Sequence, residues 1–106
     1  MDKYTEQALA DLIKENKTAL VFTHTDWCSK CRRVEPFLNI LENNYKNKVP
    51  FIDMDGDLIS DKFINVFNVE ELQTINMIVK GKVYDPCKDV DTPEAISQYI
   101  LDCLSM

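Results

Sequence analysis

Glycine and proline are scarce, with 2 and 4 among 106 residues. So few chain breakers exclude a collagen-like repeat or a flexible low-complexity tract, and 45% apolar residues supply the material of a folded globule. No run of about 18 apolar residues occurs, so no membrane-spanning helix is expected. The chain also lacks an excess of cations: 12 Lys and Arg stand against 18 Asp and Glu, for a net charge of −6. That balance argues against nucleic acid or an anionic membrane as a main partner. No uninterrupted apolar segment opens the chain, because Asp2, Lys3, Glu6, Asp11, Lys14 and Glu15 break up its first seventeen residues. A signal peptide is therefore not expected, and a cytoplasmic location, where thiols stay reduced, is. No glycine-rich phosphate loop is present, so the chain is expected to hold no flavin or nicotinamide cofactor of its own. A second C-x-x-C pair is missing as well, which leaves no four-ligand zinc site.

What is present reads as one domain over residues 1–106, long enough to bury roughly two thirds of its unfolded surface. Ala8, Leu9, Leu12 and Ile13 recur at helical spacing in residues 5–16, with Thr5 placed to cap. Ala19 to Thr23 is a short apolar run that predicts a buried strand. From Cys31 onward Val34, Phe37, Leu38, Leu41 and Tyr45 predict an amphipathic helix ending near Asn43-Asn44 or Lys46-Asn47, with Pro36 inside it as a kink. Val49 to Met54 predicts a second strand, Asp55-Gly56-Asp57 a turn, and Leu58 to Asn68 a third helix. Ile75 to Val79 and Val83-Tyr84 predict two strands joined by a tight turn at Lys80-Gly81-Lys82. Thr92-Pro93-Glu94 is a helix start, followed by a stripe of Ala95, Ile96, Tyr99, Ile100, Cys103 and Leu104. The order specifies an α/β arrangement whose two early strands are parallel and whose late hairpin is antiparallel.

The chemistry is concentrated in Asp26-Trp27-Cys28-Ser29-Lys30-Cys31. In a reducing compartment two cysteines at this spacing form a redox-active or metal-binding pair rather than a structural crosslink. A thiol at the start of a helix meets unpaired backbone N–H groups and the positive end of the helix dipole, and both favour thiolate. Cys28 is thus the candidate nucleophile. Cys31, one turn further in, is the candidate resolving thiol. Trp27 offers a flat apolar contact over the pair, and Lys30 adds a cation beside it.

These residues resemble the thioredoxin family, and the resemblance spans nearly the whole chain. Trp27-Cys28-Ser29-Lys30-Cys31 is similar to the family's W-C-G-P-C site, and Pro36 follows the second cysteine by five residues, as the family's helix proline does. Phe67-Asn68-Val69-Glu70-Glu71-Leu72-Gln73-Thr74 is similar to the family's Y-G-V-x-x-I-P-T segment, and Lys80-Gly81-Lys82-Val83 falls at its hairpin turn. The resemblance implies a thioredoxin-like fold with helices on both faces of a mixed sheet. With only about eighteen residues before Ala19, the first strand is expected to be missing, leaving four. It further implies a thiol-disulfide oxidoreductase with a Cys28–Cys31 redox disulfide, protein disulfides as substrates, and a thioredoxin-reductase-like electron donor. A monomer is expected.

Several positions depart from the family pattern. Gln73 stands where the family has a cis-proline, in the Leu72-Gln73 loop that shapes the site. A cis bond before a non-proline costs roughly 2.5 to 4 kcal/mol, so a trans Leu72-Gln73 peptide is expected. Phe22 stands at the family's buried Asp and Phe51 at its Lys partner; losing both avoids a single unpaired buried charge. Ser29-Lys30 replaces Gly-Pro, and the added charge predicts a more oxidising couple than the roughly −270 mV of thioredoxin.

The resemblance implies that the family's buried Asp serves as proton acceptor for the second cysteine, and the acceptor lost at Phe22 has no evident replacement in the sequence. Glu35 and Asp53 read as solvated surface charges, and His24 as a loop-facing structural histidine that could assist proton transfer. Cys103 reads as a buried inert thiol, and Cys87 as a loop thiol near the active-site end of the sheet. Arg32-Arg33 read as a solvated helix face. Asp53-x-Asp55-Gly56-Asp57 lacks calcium-loop spacing, because Ile64 falls where a bidentate Glu is needed. Two other functions remain open at this level: a thioredoxin-like binding module with a regulatory or vestigial Cys pair, and a carrier of a metal or iron-sulfur cluster between two chains.

Overall fold

The computed structural model describes residues 1–45 and 47–106. Its elements run β1 (Asp2–Lys3), α1 (Glu6–Lys14), β2 (Ala19–His24), α2 (Ser29–Asn44), β3 (Phe51–Asp55), α3 (Asp61–Phe67), β4 (Thr74–Val79), β5 (Lys82–Val83) and α4 (Pro93–Ser105). They form a thioredoxin-like fold: one five-stranded mixed sheet in the order β1-β3-β2-β4-β5, with two helices on each face. β3 runs parallel to both β1 and β2, whereas β4 runs antiparallel to β2 and β5.

The expectation of a four-stranded sheet needs correction. Asp2 and Lys3 pair with Ile52 and Asp53 as a two-residue edge strand. Both are exposed and charged, so neither hydrophobic run nor alternation marks them in the sequence; the ladder of β3 recruits them. The third helix also starts later than Leu58. Leu58 is 78% exposed, and Ser60 caps α3 by accepting from the N–H of Phe63. β3 begins at Phe51 rather than Val49, because Pro50 cannot donate to the ladder. The end of α2 at Asn44, with Tyr45 as C-cap, matches the first of the two expected ends; of the other, Lys46-Asn47, Lys46 lies outside the described residues.

Alternation on β2 builds both cores. Leu20 and Phe22 face α2 and α4 together with Phe51, Ile75 and Met77, while Ala19 and Val21 face α1 and α3 with Ile52, Met54 and Ile78. Leu20, Val21 and Phe22 are fully buried. On the first face Cys31, Val34, Leu38 and Leu41 of α2 and Ile96, Ile100 and Cys103 of α4 complete the packing; on the second, Leu9, Leu12, Phe63 and Phe67 do. The α2 stripe continues from Cys31 through Pro36 without interruption, so the buried face of this helix pins the second cysteine at the end of β2. At the hairpin Lys80 and Gly81 both have positive φ, 51° and 82°, the two-residue turn whose twist matches its strands.

Candidate active site

The site lies where β2 ends and α2 begins, with the loop before β4 facing it. Cys28 is the N-cap of α2: its backbone is extended and its Sγ accepts the N–H of Cys31 at 3.2 Å. The Cys28 N–H donates to Thr25 O at 3.3 Å, and Arg32 Nη2 donates to Asp26 O at 3.2 Å, which ties the approach loop to the helix. Cys28 and Cys31 are bonded as a disulfide, their Cα atoms 5.3 Å apart. Cys28 is half-buried and Cys31 is 2% exposed, so an incoming reactant meets Cys28 first.

The opposite wall is Leu72. Its carbonyl oxygen stands 3.2 Å from Cys28 Sγ and 3.1 Å from Cys31 Sγ, so either thiol of the reduced pair has an acceptor to donate to. No cis peptide bond occurs among the described residues, in line with the expected trans Leu72-Gln73 bond. The Gln73 N–H donates to Glu71 O at 2.9 Å, and its Oε1 is buried with no protein partner among the described residues. Lys30, Phe37, Glu71, Gln73 and Asp91 line a groove of about 240 Å³ beside the pair. Ser29 and Lys30 are exposed. Trp27 is 64% exposed, with its Nε1–H donating to Asp57 Oδ1 at 3.2 Å. Gly56 makes the close approach that this arrangement needs. Its N–H donates to His24 O at 2.7 Å, and a Cβ there would meet Thr25 Cγ2 at 3.0 Å and Leu72 Cδ2 at 3.2 Å.

Two residues read as peripheral in the sequence prove otherwise. His24 is the last residue of β2, not a loop residue, and its ring stacks on Phe22 with centroids 4.4 Å apart. Its Nε2 hydrogen-bonds to Asp53 Oδ1 at 2.8 Å, so Asp53 is not a solvated surface charge; the two side chains are 14% and 18% exposed. The signal was present as parity. His24 shares a sheet face with Phe22, and Asp53 with Phe51, on neighbouring parallel strands. Glu35 is exposed, as expected, and so are Arg32 and Arg33.

Cys87 and Cys103 are free thiols. Cys103 is buried on α4 as its stripe predicts, and burial raises its pKa. The Cys87 N–H donates to Ile75 O at 2.8 Å, which sets it near the active-site end of the sheet; burial pushes its thiol up to about 11. Among the described residues no group of three His, Cys, Asp or Glu side chains could hold a metal ion, and no helix is long and apolar enough to cross a membrane.

The family model for Thioredoxin matches residues 1–102. Thioredoxin 1 of Plasmodium falciparum is 33% identical over 89 residues, which cover 83% of this chain and 78% of that protein. Chloroplastic thioredoxin Y1 of Arabidopsis thaliana is 26% identical over 105 residues, of which 98% of this chain but 60% of the relative is covered. Among solved structures, oxidised mitochondrial thioredoxin 3 of Saccharomyces cerevisiae superposes with a TM-score of 0.80 at 24% identity, covering 96% of this chain and 94% of the other. Oxidised thioredoxin of P. falciparum does so with a TM-score of 0.79 at 21% identity, covering 98% of each chain. A cysteine pair at disulfide distance on the first turn of α2, a half-buried thiol leading a buried one, is consistent with a thiol-disulfide oxidoreductase, and the chain belongs to the thioredoxin family.

Proposed function

We propose that the chain reduces or exchanges disulfides of protein substrates with the Cys28–Cys31 dithiol, acting as a cytoplasmic monomer of one domain over residues 1–106 recharged by a thioredoxin-reductase-like donor. The observation that carries this reading is the Cys31 N–H donating to Cys28 Sγ at 3.2 Å, at the positive end of α2. A capping thiolate gains a charge-assisted hydrogen bond that a thiol does not, so Cys28 is the nucleophile. Cys28 attacks one sulfur of the substrate disulfide, forming a mixed disulfide and releasing the first substrate thiolate. Cys31 then attacks Cys28 Sγ, the Cys28–substrate bond breaks, and the second substrate thiolate leaves. Two electrons pass to the substrate, and the chain keeps the Cys28–Cys31 disulfide.

Trp27, Ser29, Lys30, Leu72 and Gln73 shape the surface on which the substrate docks. The exposed Trp27 ring and the groove beside Lys30 and Gln73 support this reading. Insulin reduction by wild type and by Cys28→Ser is the test. Turnover in wild type and none in the variant is expected; an inactive wild type would sink the oxidoreductase and favour the binding module. Metal analysis of freshly purified protein addresses the cluster carrier. With Lys30 between the two cysteines in the chain, a redox titration is expected to give a potential above about −270 mV.

A further inference from the structure

A cavity of about 720 Å³ lies beside the cysteines rather than over them, and it is lined by Cys31, His24, Thr25 and Asp53 among others. Phe22, at the position of the family's buried acid, is a fully buried ring that offers no acceptor, whereas His24 and Asp53 of the same sheet face line the cavity. We propose that the His24–Asp53 pair is the proton acceptor for Cys31, with His24 taking the proton through water in this cavity and Asp53 positioning the imidazole; this rests on the oxidoreductase reading above.

Three observations converge on the pair. His24 Nε2–H donates to Asp53 Oδ1 at 2.8 Å, which fixes the ring and leaves Nδ1 with its lone pair and no protein partner among the described residues. The stack on Phe22 holds the ring plane from below, with an interplanar angle of 8°. The Thr25 hydroxyl, on a residue 3% exposed that lines the same cavity, has no protein partner among the described residues; it and His24 offer the polar contacts a bridging water requires. The other ionisable groups around the cavity are Lys3 of β1 and Tyr4 just after it, Asp26 before the cysteines, Arg32 and Glu35 on α2, and Asp55 at the end of β3. Lys3, Asp26, Arg32, Glu35 and Asp55 are all exposed and solvated, and Tyr4 packs against the opposite core, which leaves His24 and Asp53 as the sheltered hydrogen-bonded pair of the set.

In the mixed disulfide, the Cys31 S–H passes its proton through water to His24 Nδ1, and the imidazolium is stabilised by Asp53. The Cys31 sulfur bonds to Cys28 Sγ as the Cys28–substrate bond breaks, the electron pair departs with the substrate sulfur, and the imidazolium returns its proton to that thiolate or to solvent.

Stopped-flow reaction of the reduced protein with dithiobis-nitrobenzoate resolves the two steps, because each releases a coloured thiolate: the first on attack by Cys28, the second on attack by Cys31. In His24→Gln the second phase is expected to slow about tenfold or more near pH 7, with the first unchanged within about twofold, and the gap to close towards about pH 9, where hydroxide takes the Cys31 proton unaided. Asp53→Asn is expected to slow the same phase by less, and His24→Phe, which keeps the stack on Phe22, serves should His24→Gln fail to fold. A second phase unchanged in the His24 variants overturns the proposal, as does equal slowing of both phases or the same loss in Glu35→Gln. A wild type inactive on insulin but biphasic with the chromogenic disulfide would fail the substrate reading while the variants still decide the role of His24.

Discussion

At the scale of residues, three atoms separate the roles of the two cysteines: Cys28 Sγ, the Cys31 N–H that donates to it, and the Leu72 oxygen facing both sulfurs. In the proposed mechanism access sets the order of events, since Cys31 is buried and Cys28 is the more accessible sulfur. Cys31→Ser is therefore expected to attack substrate through Cys28 and stop there, accumulating a mixed disulfide that persists on a non-reducing gel. Cys28→Ser should trap nothing, and capture by Cys28→Ser instead would reverse the assignment. Local chemistry made this much legible, because a helix start and a three-residue spacing are properties of neighbouring residues. The His24–Asp53 hydrogen bond joins residues 29 apart in the chain; parity assigns each a sheet face, but only the register of β2 against β3 brings them together.

At the scale of elements, the docking of α4 onto β4 depends on protons. The Tyr99 hydroxyl donates to Asp85 O at 2.7 Å and accepts the Met77 N–H at 2.9 Å, and burial raises its pKa. Cys87, packed against the same core, is raised by burial from 9.0 to about 11. Both groups are neutral in the folded state at pH values where the unfolded chain has begun to lose their protons. The unfolded state then binds fewer protons, so stability is fully present below about pH 9 and falls as pH rises through about 11. Thermal melts are expected to be flat up to about pH 9 and to drop beyond it, with a shallower drop in Cys87→Ala. A slope in Cys87→Ala equal to that of wild type would remove Cys87 from the account. The stripe on α4 was readable from its 3.6-residue period; the tyrosine's two backbone partners come from β4 and the loop after β5.

The whole molecule accounts for the paired loss of charge. Phe22 and Phe51 occupy one continuous core on the α2 and α4 face, and each is at most 2% exposed. Phe22→Asp would bury a lone carboxylate there and is expected to cost several kcal/mol in urea unfolding, with part restored in Phe22→Asp/Phe51→Lys. A double variant no more stable than Phe22→Asp would show that the two positions do not couple. The same core carries the stack under His24, so the residue that displaced one acid also supports the group placed to take its role.

The sequence by itself determined the order and type of the main elements, the two faces of each strand and helix and the location of the cysteine pair, because periods of 2.0 and 3.6 and capping residues are written locally, while the Trp27–Cys31 and Phe67–Thr74 motifs carried the family resemblance. Only the tertiary structure decided the edge strand Asp2–Lys3, the later start of α3 and the sheltered His24–Asp53 pair. Each of these depends on contacts between distant segments. β3 supplies a ladder to two charged residues with no strand signal of their own, and its parallel register against β2 brings a histidine and an aspartate together beside Cys31.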